Sequence, residues 1–127
     1  MIVAVGVDAV EIARIARLLQ EGGERFLARV FCAGETAYCR SRAEGKAAAS
    51  FAARFAAKEA VMKCLGTGWA AGIGFAQIEV VRTPAGAVQI ALHGDAAARA
   101  AQLGIRNLHL SLTHTETTAT AFVVAEG

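Results

Sequence analysis

Charge, proline and aromatic residues are all scarce in this chain. Of its 127 residues only 19% are charged and 6% aromatic, and one each is proline, tryptophan and tyrosine. With Pro84 alone there is no proline-rich linker, and a chain this poor in charge and 55% hydrophobic is not a disordered one. Long apolar runs are missing too. The longest stretch without a charged residue, Cys64 to Ile78, has 15 residues and includes four glycines. A spanning helix takes roughly 20 apolar residues, so no membrane segment is expected. Met1 leads straight into Ile2-Val3-Ala4-Val5 with no basic, small-residue leader, which makes the cytoplasm the expected location. A net charge of +2 without any lysine-arginine run gives no ground for nucleic-acid binding. The three cysteines, Cys32, Cys39 and Cys64, lack metal-ligand spacing and read as reduced, partly buried thiols.

Alanine is what the chain has in abundance, with 30 copies. It adds little buried area but favours helix. The length suits one domain, residues 1–127, able to bury roughly two-thirds of its unfolded surface. So many small apolar residues also suggest close packing between subunits.

Ile2 to Val7 reads as a strand with Val3, Val5 and Val7 on one face, ending at Asp8. Val10 to Leu19 is an amphipathic helix stopped by Gly22-Gly23, and Arg25 to Phe31 and Glu35 to Arg42 are two shorter helices. Lys46 to Leu65 has the propensity of a long helix closed by Gly66. Beyond it, Phe75 to Arg82 and Ala87 to Leu92 are strand-like and joined at Thr83-Pro84-Ala85-Gly86. Asp95 is the expected cap of a short helix reaching Leu103. Asn107 to Thr113 alternates, with Leu108, Leu110 and Leu112 inward, and Thr118 to Ala125 supplies a last strand. The expected fold class is α+β, a mainly antiparallel sheet covered by the long helix.

The long helix carries the densest cluster of candidate residues, Arg54-Phe55-Ala56-Ala57-Lys58-Glu59-Ala60-Val61-Met62-Lys63, followed by Gly66-Thr67-Gly68. Glu59 and Lys63 are helical neighbours, which by itself fits an ordinary stabilising pair. Set among alanine and phenylalanine, however, a carboxylate is costly unless paired or metal-bound. The glycine-rich segment follows a helix and precedes no lysine, so it is neither a Walker loop nor a dinucleotide fingerprint. Asp8, one of two aspartates, fits a helix cap and a functional carboxylate equally. Together with Glu59 it would suit Mg²⁺, which takes one or two carboxylates and fills its octahedron with water and phosphate oxygens. His114 closes a strand, and neither His93, His109 nor the cysteines complete a zinc set. Arg14, Arg17, Arg25, Arg29, Arg40 and Arg42 crowd the first third, as either a solvated helix surface or an electropositive face for an acidic partner.

Taken together, Gly6-Val7-Asp8 with Arg14, the Arg54 to Lys63 block with Gly66-Thr67-Gly68, Ile78-Glu79-Val80, and His109-Leu110-Ser111-Leu112-Thr113-His114-Thr115 resemble holo-acyl-carrier-protein synthase. That family is the small, stand-alone type of 4′-phosphopantetheinyl transferase, and the likeness runs through nearly the whole chain. Its implications are specific. Asp8 and Glu59 would bind Mg²⁺ against the pyrophosphate of coenzyme A, with Lys63 neutralising phosphate charge or assisting the leaving group. Arg54 and His114, with Lys46 and Thr115, would lie at the nucleotide and its 3′-phosphate. Gly66, Thr67 and Gly68 would shape the wall beside the pantetheine arm. Arg14, Arg25 and Arg29 would meet the acidic helix of acyl carrier protein. A homotrimer with sites between subunits is implied. The reaction would be phosphoryl transfer to a carrier serine, its proton taken by Glu59, by a water near the metal, or by Lys63 with a lowered pKa. Two other functions fit the residues: a different Mg²⁺-dependent enzyme acting on a nucleotide or pyrophosphate, and a non-enzymatic α+β binding module.

Overall fold

A computed structural model describes residues 1–43, 45–67 and 72–127. The elements run β1 (Ile2–Glu11), α1 (Ile12–Val30), α2 (Ala33–Arg40), α3 (Ala47–Leu65), β2 (Ile78–Arg82), β3 (Val88–Leu92), α4 (Gly94–Gln102), β4 (Asn107–His114) and β5 (Thr118–Glu126). Every strand pairing is antiparallel, in two sheets: β1-β5-β4 and β2-β3. This is the α+β fold expected from the sequence, with the long helix at its centre.

Alanine explains how α3 reaches that position. Ala52, Ala53, Ala56, Ala57 and Ala60 are all buried, and the helix is covered on nearly every side by β1 and β5, α1 and α2. A helix enclosed all round has no amphipathic stripe to display. Facing it from β5 are Ala119, Ala121, Val123 and Ala125, all fully buried. These alanines of α3 and β5 therefore pack against each other within the chain.

The apolar alternation of β1 points the other way from a core. Val5 and Val7 are 58% and 53% exposed, and Val3 is also on the surface. The inward positions are Ala4, Gly6, Asp8 and Val10, small near the middle because α3 approaches closely there: a Cβ on Gly6 would collide with the Ala60 carbonyl oxygen. In β4 the expected alternation holds, with Leu108, Leu110 and Leu112 packed against the core and His109, Ser111 and Thr113 exposed.

Three local expectations change. Asp8 lies within β1, opposite Ala121 of β5, and the N-cap of α1 is Glu11, so Asp8 caps no helix. The two helices expected on either side of Gly22-Gly23 are present as the two halves of α1, which meet at a kink at Gly23, where φ is 53° and ψ −139°. Asp95 sits in the first turn of α4; the capping acceptor comes from outside it, Gln77 Oε1 receiving the Ala96 N–H at 2.9 Å. Phe75–Gln77 is a 3₁₀ turn instead of the start of β2. The Lys58 ammonium donates to the carbonyl of Phe75 in this turn and to that of Ile78, the first residue of β2.

That ammonium belongs to the deepest polar contact in the fold. Lys58 on α3 and Glu35 on α2 are both essentially inaccessible, Nζ to Oε1 2.7 Å. Glu35 also accepts the N–H of Cys32 and, through Oε2, that of Val80, each at 2.9 Å. One ion pair thus ties α2, α3 and β2 together with its hydrogen-bonding capacity used.

Candidate active site

Gly6 and Ala60 bring β1 against α3, and their neighbours Asp8 and Glu59 form the polar centre of that junction. The Lys63 ammonium donates to the Val7 carbonyl at 2.7 Å and reaches Asp8 Oδ1 at 3.3 Å. Asp8 is mostly buried, its side chain 14% exposed, whereas that of Lys63 is 55% exposed and leaves donors for another partner. Burial pushes the Glu59 carboxyl above its ordinary pKa, the Asp8 charge pushes it further, and Arg14 and Lys63 act against both. Arg14, on the first turn of α1, stands with its guanidinium 5.7 Å from the centre of the Phe55 ring. Four of the residues expected to act (Asp8, Glu59, Lys63 and Arg14) are therefore coupled in one place.

Two carboxylates so close, one still destabilised as an anion, are a donor set that lacks positive charge. No group of three or more His, Cys, Asp or Glu that could hold a metal occurs among the described residues. The pair instead fits a hard cation that takes one or two protein oxygens and keeps its remaining positions for water and phosphate.

A second feature lies on another side of α3. A cavity of about 420 Å³ is lined by Arg42, Lys46, Arg54, Arg82 and His114, and by no acidic residue among those described. Arg54 is 4% exposed; its Nη1 makes long contacts with Ser50, 3.3 Å to Oγ and 3.4 Å to the carbonyl, and its buried Nε has no partner. The structure thus joins Lys46, Arg54 and His114 as the sequence implied. Thr115 is outside this lining: its hydroxyl accepts the N–H groups of Thr117 and Thr118 at 3.3 and 3.1 Å, closing the β4–β5 turn.

Gly66 ends α3 in the left-handed region at φ 73°, and the Leu65 carbonyl receives Arg99 Nε at 3.1 Å. Thr67 Oγ1 is buried without a hydrogen-bond partner. Gly68, the third residue expected at the pantetheine wall, falls outside the described residues. Arg25 and Arg29 lie on α1 beyond the Gly23 break, exposed and apart from both the carboxylate centre and the cationic cavity. Among the thiols, Cys39 and Cys64 are buried and free, and burial pushes the Cys32 thiol up to about 11.

Sequence reasoning missed Arg82 and Tyr38 and gave Arg42 no place at the nucleotide. The usable signal was alternation: Arg82 falls on the same face of β2 as the buried Ile78 and Val80, although at the strand end it is itself exposed. A guanidinium continuing an apolar strand face calls for an anion or an aromatic partner. Here the partner is Tyr38, 4.5 Å from the Arg82 guanidinium to the ring centre.

A helix whose glutamate and lysine meet the aspartate of a neighbouring strand, packed against antiparallel sheets and flanked by a cationic cavity, is the framework of a phosphoryl-group transferase. The family model of the 4′-phosphopantetheinyl transferase superfamily matches residues 4–122, and the chain belongs to that superfamily. It is 48% identical over 126 residues to the holo-acyl-carrier-protein synthase of Koribacter versatilis, covering 99% of each chain. Its fold is similar to that of holo-acyl-carrier-protein synthase from Neisseria meningitidis, with a TM-score of 0.88, 33% identity and full coverage of both chains. The Helicobacter pylori holo-acyl-carrier-protein synthase, solved in complex with coenzyme A, aligns with a TM-score of 0.83 at 29% identity, over 97% of this chain and 100% of that one.

Proposed function

We propose that this chain transfers the 4′-phosphopantetheine arm of coenzyme A to a serine hydroxyl of acyl carrier protein, releasing adenosine 3′,5′-bisphosphate. Membership of the superfamily supplies the reaction class. The observation that carries the reading to the residues is the Asp8–Glu59–Lys63 cluster, an acidic pair with an ammonium poised between it and solvent.

Asp8 and Glu59 are the residues that would hold Mg²⁺. Bound there, the ion supplies neutralisation of the charge that develops on the pyrophosphate. Lys63, held at its inner side by Val7 and Asp8, presents its remaining N–H donors to phosphate oxygens. Lys46, Arg54 and His114 bind the nucleotide end in the cationic cavity. Thr115 fixes the turn that follows His114. Gly66, Thr67 and Gly68 border the pantetheine arm. Arg14, next to the carboxylates, meets the incoming carrier, with Arg25 and Arg29 extending the basic face along α1. Residues 1–127 work as one cytoplasmic domain, and no helix among the described residues is long and apolar enough to cross a membrane.

The working unit is a homotrimer with each site built from two subunits. Arg54 and Glu59 are five residues apart on α3 and so point about 140° apart around it. The cationic cavity of one chain therefore does not open beside its own carboxylates. The outer face of β1 and β5 leaves Ile2, Val5, Val7 and Phe122 between 47% and 58% exposed, an apolar surface that a second copy would cover.

The test is direct. The protein is incubated with coenzyme A, Mg²⁺ and apo-acyl carrier protein, and the carrier is weighed by mass spectrometry. A pantetheinyl adduct that disappears with chelator, and in Asp8→Ala and Glu59→Ala variants, is expected. No adduct with any of several carriers removes the reading.

A further inference from the structure

The cationic cavity contains more positive charge than Lys46, Arg54 and His114 provide, and the surplus is organised. Arg42 and Arg82 line it as well, and no carboxylate among the described residues does. None of Arg42, Lys46, Arg54 and Arg82 forms an ion pair with a described residue. Four permanent cations around one cavity repel each other, an arrangement that an anion would relieve.

Tyr38 holds three of them in place without consuming their charge. Its ring centre is 4.5 Å from the Arg82 guanidinium, 4.6 Å from that of Arg54 and 5.8 Å from that of Arg42. The ring face offers cation–π attraction but no acceptor oxygen, so it takes none of the N–H donors in the guanidinium planes, of which only Arg54 Nη1 makes long contacts, with Ser50. The buried, unpartnered Nε of Arg54 belongs to the same group. Tyr38 is absent from the cavity lining and instead borders, with Arg54, Arg82, Glu35 and Glu79, a smaller neighbouring cavity of about 270 Å³, so the carboxylates near these arginines lie outside the cationic cavity. At the Thr83–Gly86 turn, Gly86 (φ 88°) lies beside Arg82, where a Cβ would stand 3.4 Å from Nη2.

We infer that Arg82 is a specificity-determining residue of the nucleotide pocket, positioned by Tyr38 to bind a phosphomonoester dianion on the ligand. A planar guanidinium pairs with such a group through two parallel N–H donors, which an exposed lysine does not match. The chemical class selected is a nucleotide bearing a terminal phosphomonoester in addition to its 5′-phosphate. This inference rests on the proposed transfer from coenzyme A, whose nucleotide end has that form.

Binding separates the inference from the reading beneath it. Adenosine 3′,5′-bisphosphate and adenosine 5′-monophosphate are titrated into the intact protein by calorimetry, while transfer to acyl carrier protein is assayed separately. The wild type is expected to prefer the bisphosphate, and Arg82→Ala to reduce that preference by about tenfold or more through loss of a charge-assisted hydrogen bond. Arg82→Lys restores it only in part; Tyr38→Phe keeps it and Tyr38→Ala lowers it. A merely structural role for Arg82 would weaken both ligands equally, and equal weakening overturns the inference, as does an unchanged preference in a folded Arg82→Ala protein. Should that variant not fold, Arg82→Gln carries the same comparison. Selective binding that depends on Arg82 without any transfer removes the proposed reaction and supports the site.

Discussion

Gly6 of β1 lies directly against the backbone carbonyl of Ala60 on α3, with the Cys64 sulfur also within 3.1 Å of where a Cβ would be. Two residues along β1 is Asp8, and one residue before Ala60 is Glu59. This close approach of strand and helix is thus what brings the two carboxylates to one junction.

A methyl group at Gly6 would force strand and helix apart. Gly6→Ala is expected to cost about 1–3 kcal/mol by overpacking and to lower transfer activity with it. Urea unfolding of Gly6→Ala beside Gly74→Ala checks this, because a Cβ on Gly74 meets nothing within 4 Å. Equal stability of the two variants would refute the role given to Gly6.

The Glu35–Lys58 pair is fully buried and hydrogen-bonded throughout, so removing one member leaves an uncompensated charge. Lys58→Met is expected to lose about 3–5 kcal/mol in urea unfolding. The double variant Glu35→Gln/Lys58→Met loses less than that single change, because no charge is then stranded. A double variant worse than Lys58→Met would mean that the Glu35 carboxylate is not left uncompensated by loss of the ammonium.

How much of this was legible in the sequence depends on the range of the interaction. The position and length of α3 follow from local propensity, and the inward leucines of β4 from alternation. The Arg54 to Lys63 block also identified the residues that the fold gathers around Asp8. Alternation misled at β1, where Val3, Val5 and Val7 face outward because the inner positions must be small enough to admit α3. Asp8 looked like a cap because the β-branched run stops before it, yet pairing with β5 carries the strand on to Glu11. Glu35 with Lys58, and Tyr38 with Arg82, are separated by 23 and 44 positions, and no local pattern joins residues that far apart. Asp8 and Glu59 are just as remote in sequence, and it is the resemblance of their motifs to a known family that pairs them. The cavity's surplus arginines needed coordinates.

The Glu59 carboxyl, held above its ordinary value of 4.5 by burial and by Asp8, makes the metal-free protein sensitive to pH. Folded Glu59 keeps its proton to a higher pH than the unfolded chain does. Its contribution therefore makes stability fall as pH rises from 4.5 through the raised value, and the full penalty persists above it. Glu59→Gln is expected to raise the thermal midpoint in chelator at pH 7, with the gain shrinking toward pH 4. Mg²⁺ should raise the wild-type midpoint and leave that of Glu59→Gln almost unmoved. A glutamine variant less stable than wild type at pH 7 would contradict the strained carboxylate.

If Arg54 and Glu59 serve different sites within one chain, two inactive variants should repair each other. Arg54→Ala keeps its carboxylates and loses the nucleotide pocket; Glu59→Ala does the reverse. In a trimer assembled at random from equal amounts of the two, about a quarter of the inter-subunit sites receive an intact Glu59 from one chain and an intact Arg54 from its neighbour. Unfolding and refolding the mixture should therefore recover up to about a quarter of wild-type transfer activity, whereas each variant refolded alone stays inactive. A site completed within one chain recovers nothing on mixing, because no subunit carries both residues. The apolar outer sheet provides the second arm: Val5→Lys or Phe122→Lys, which place a charge on the exposed β1–β5 face, should give monomers in light scattering and abolish transfer while the fold is kept. A Val5→Lys monomer with full activity would place both ends of coenzyme A on a single chain.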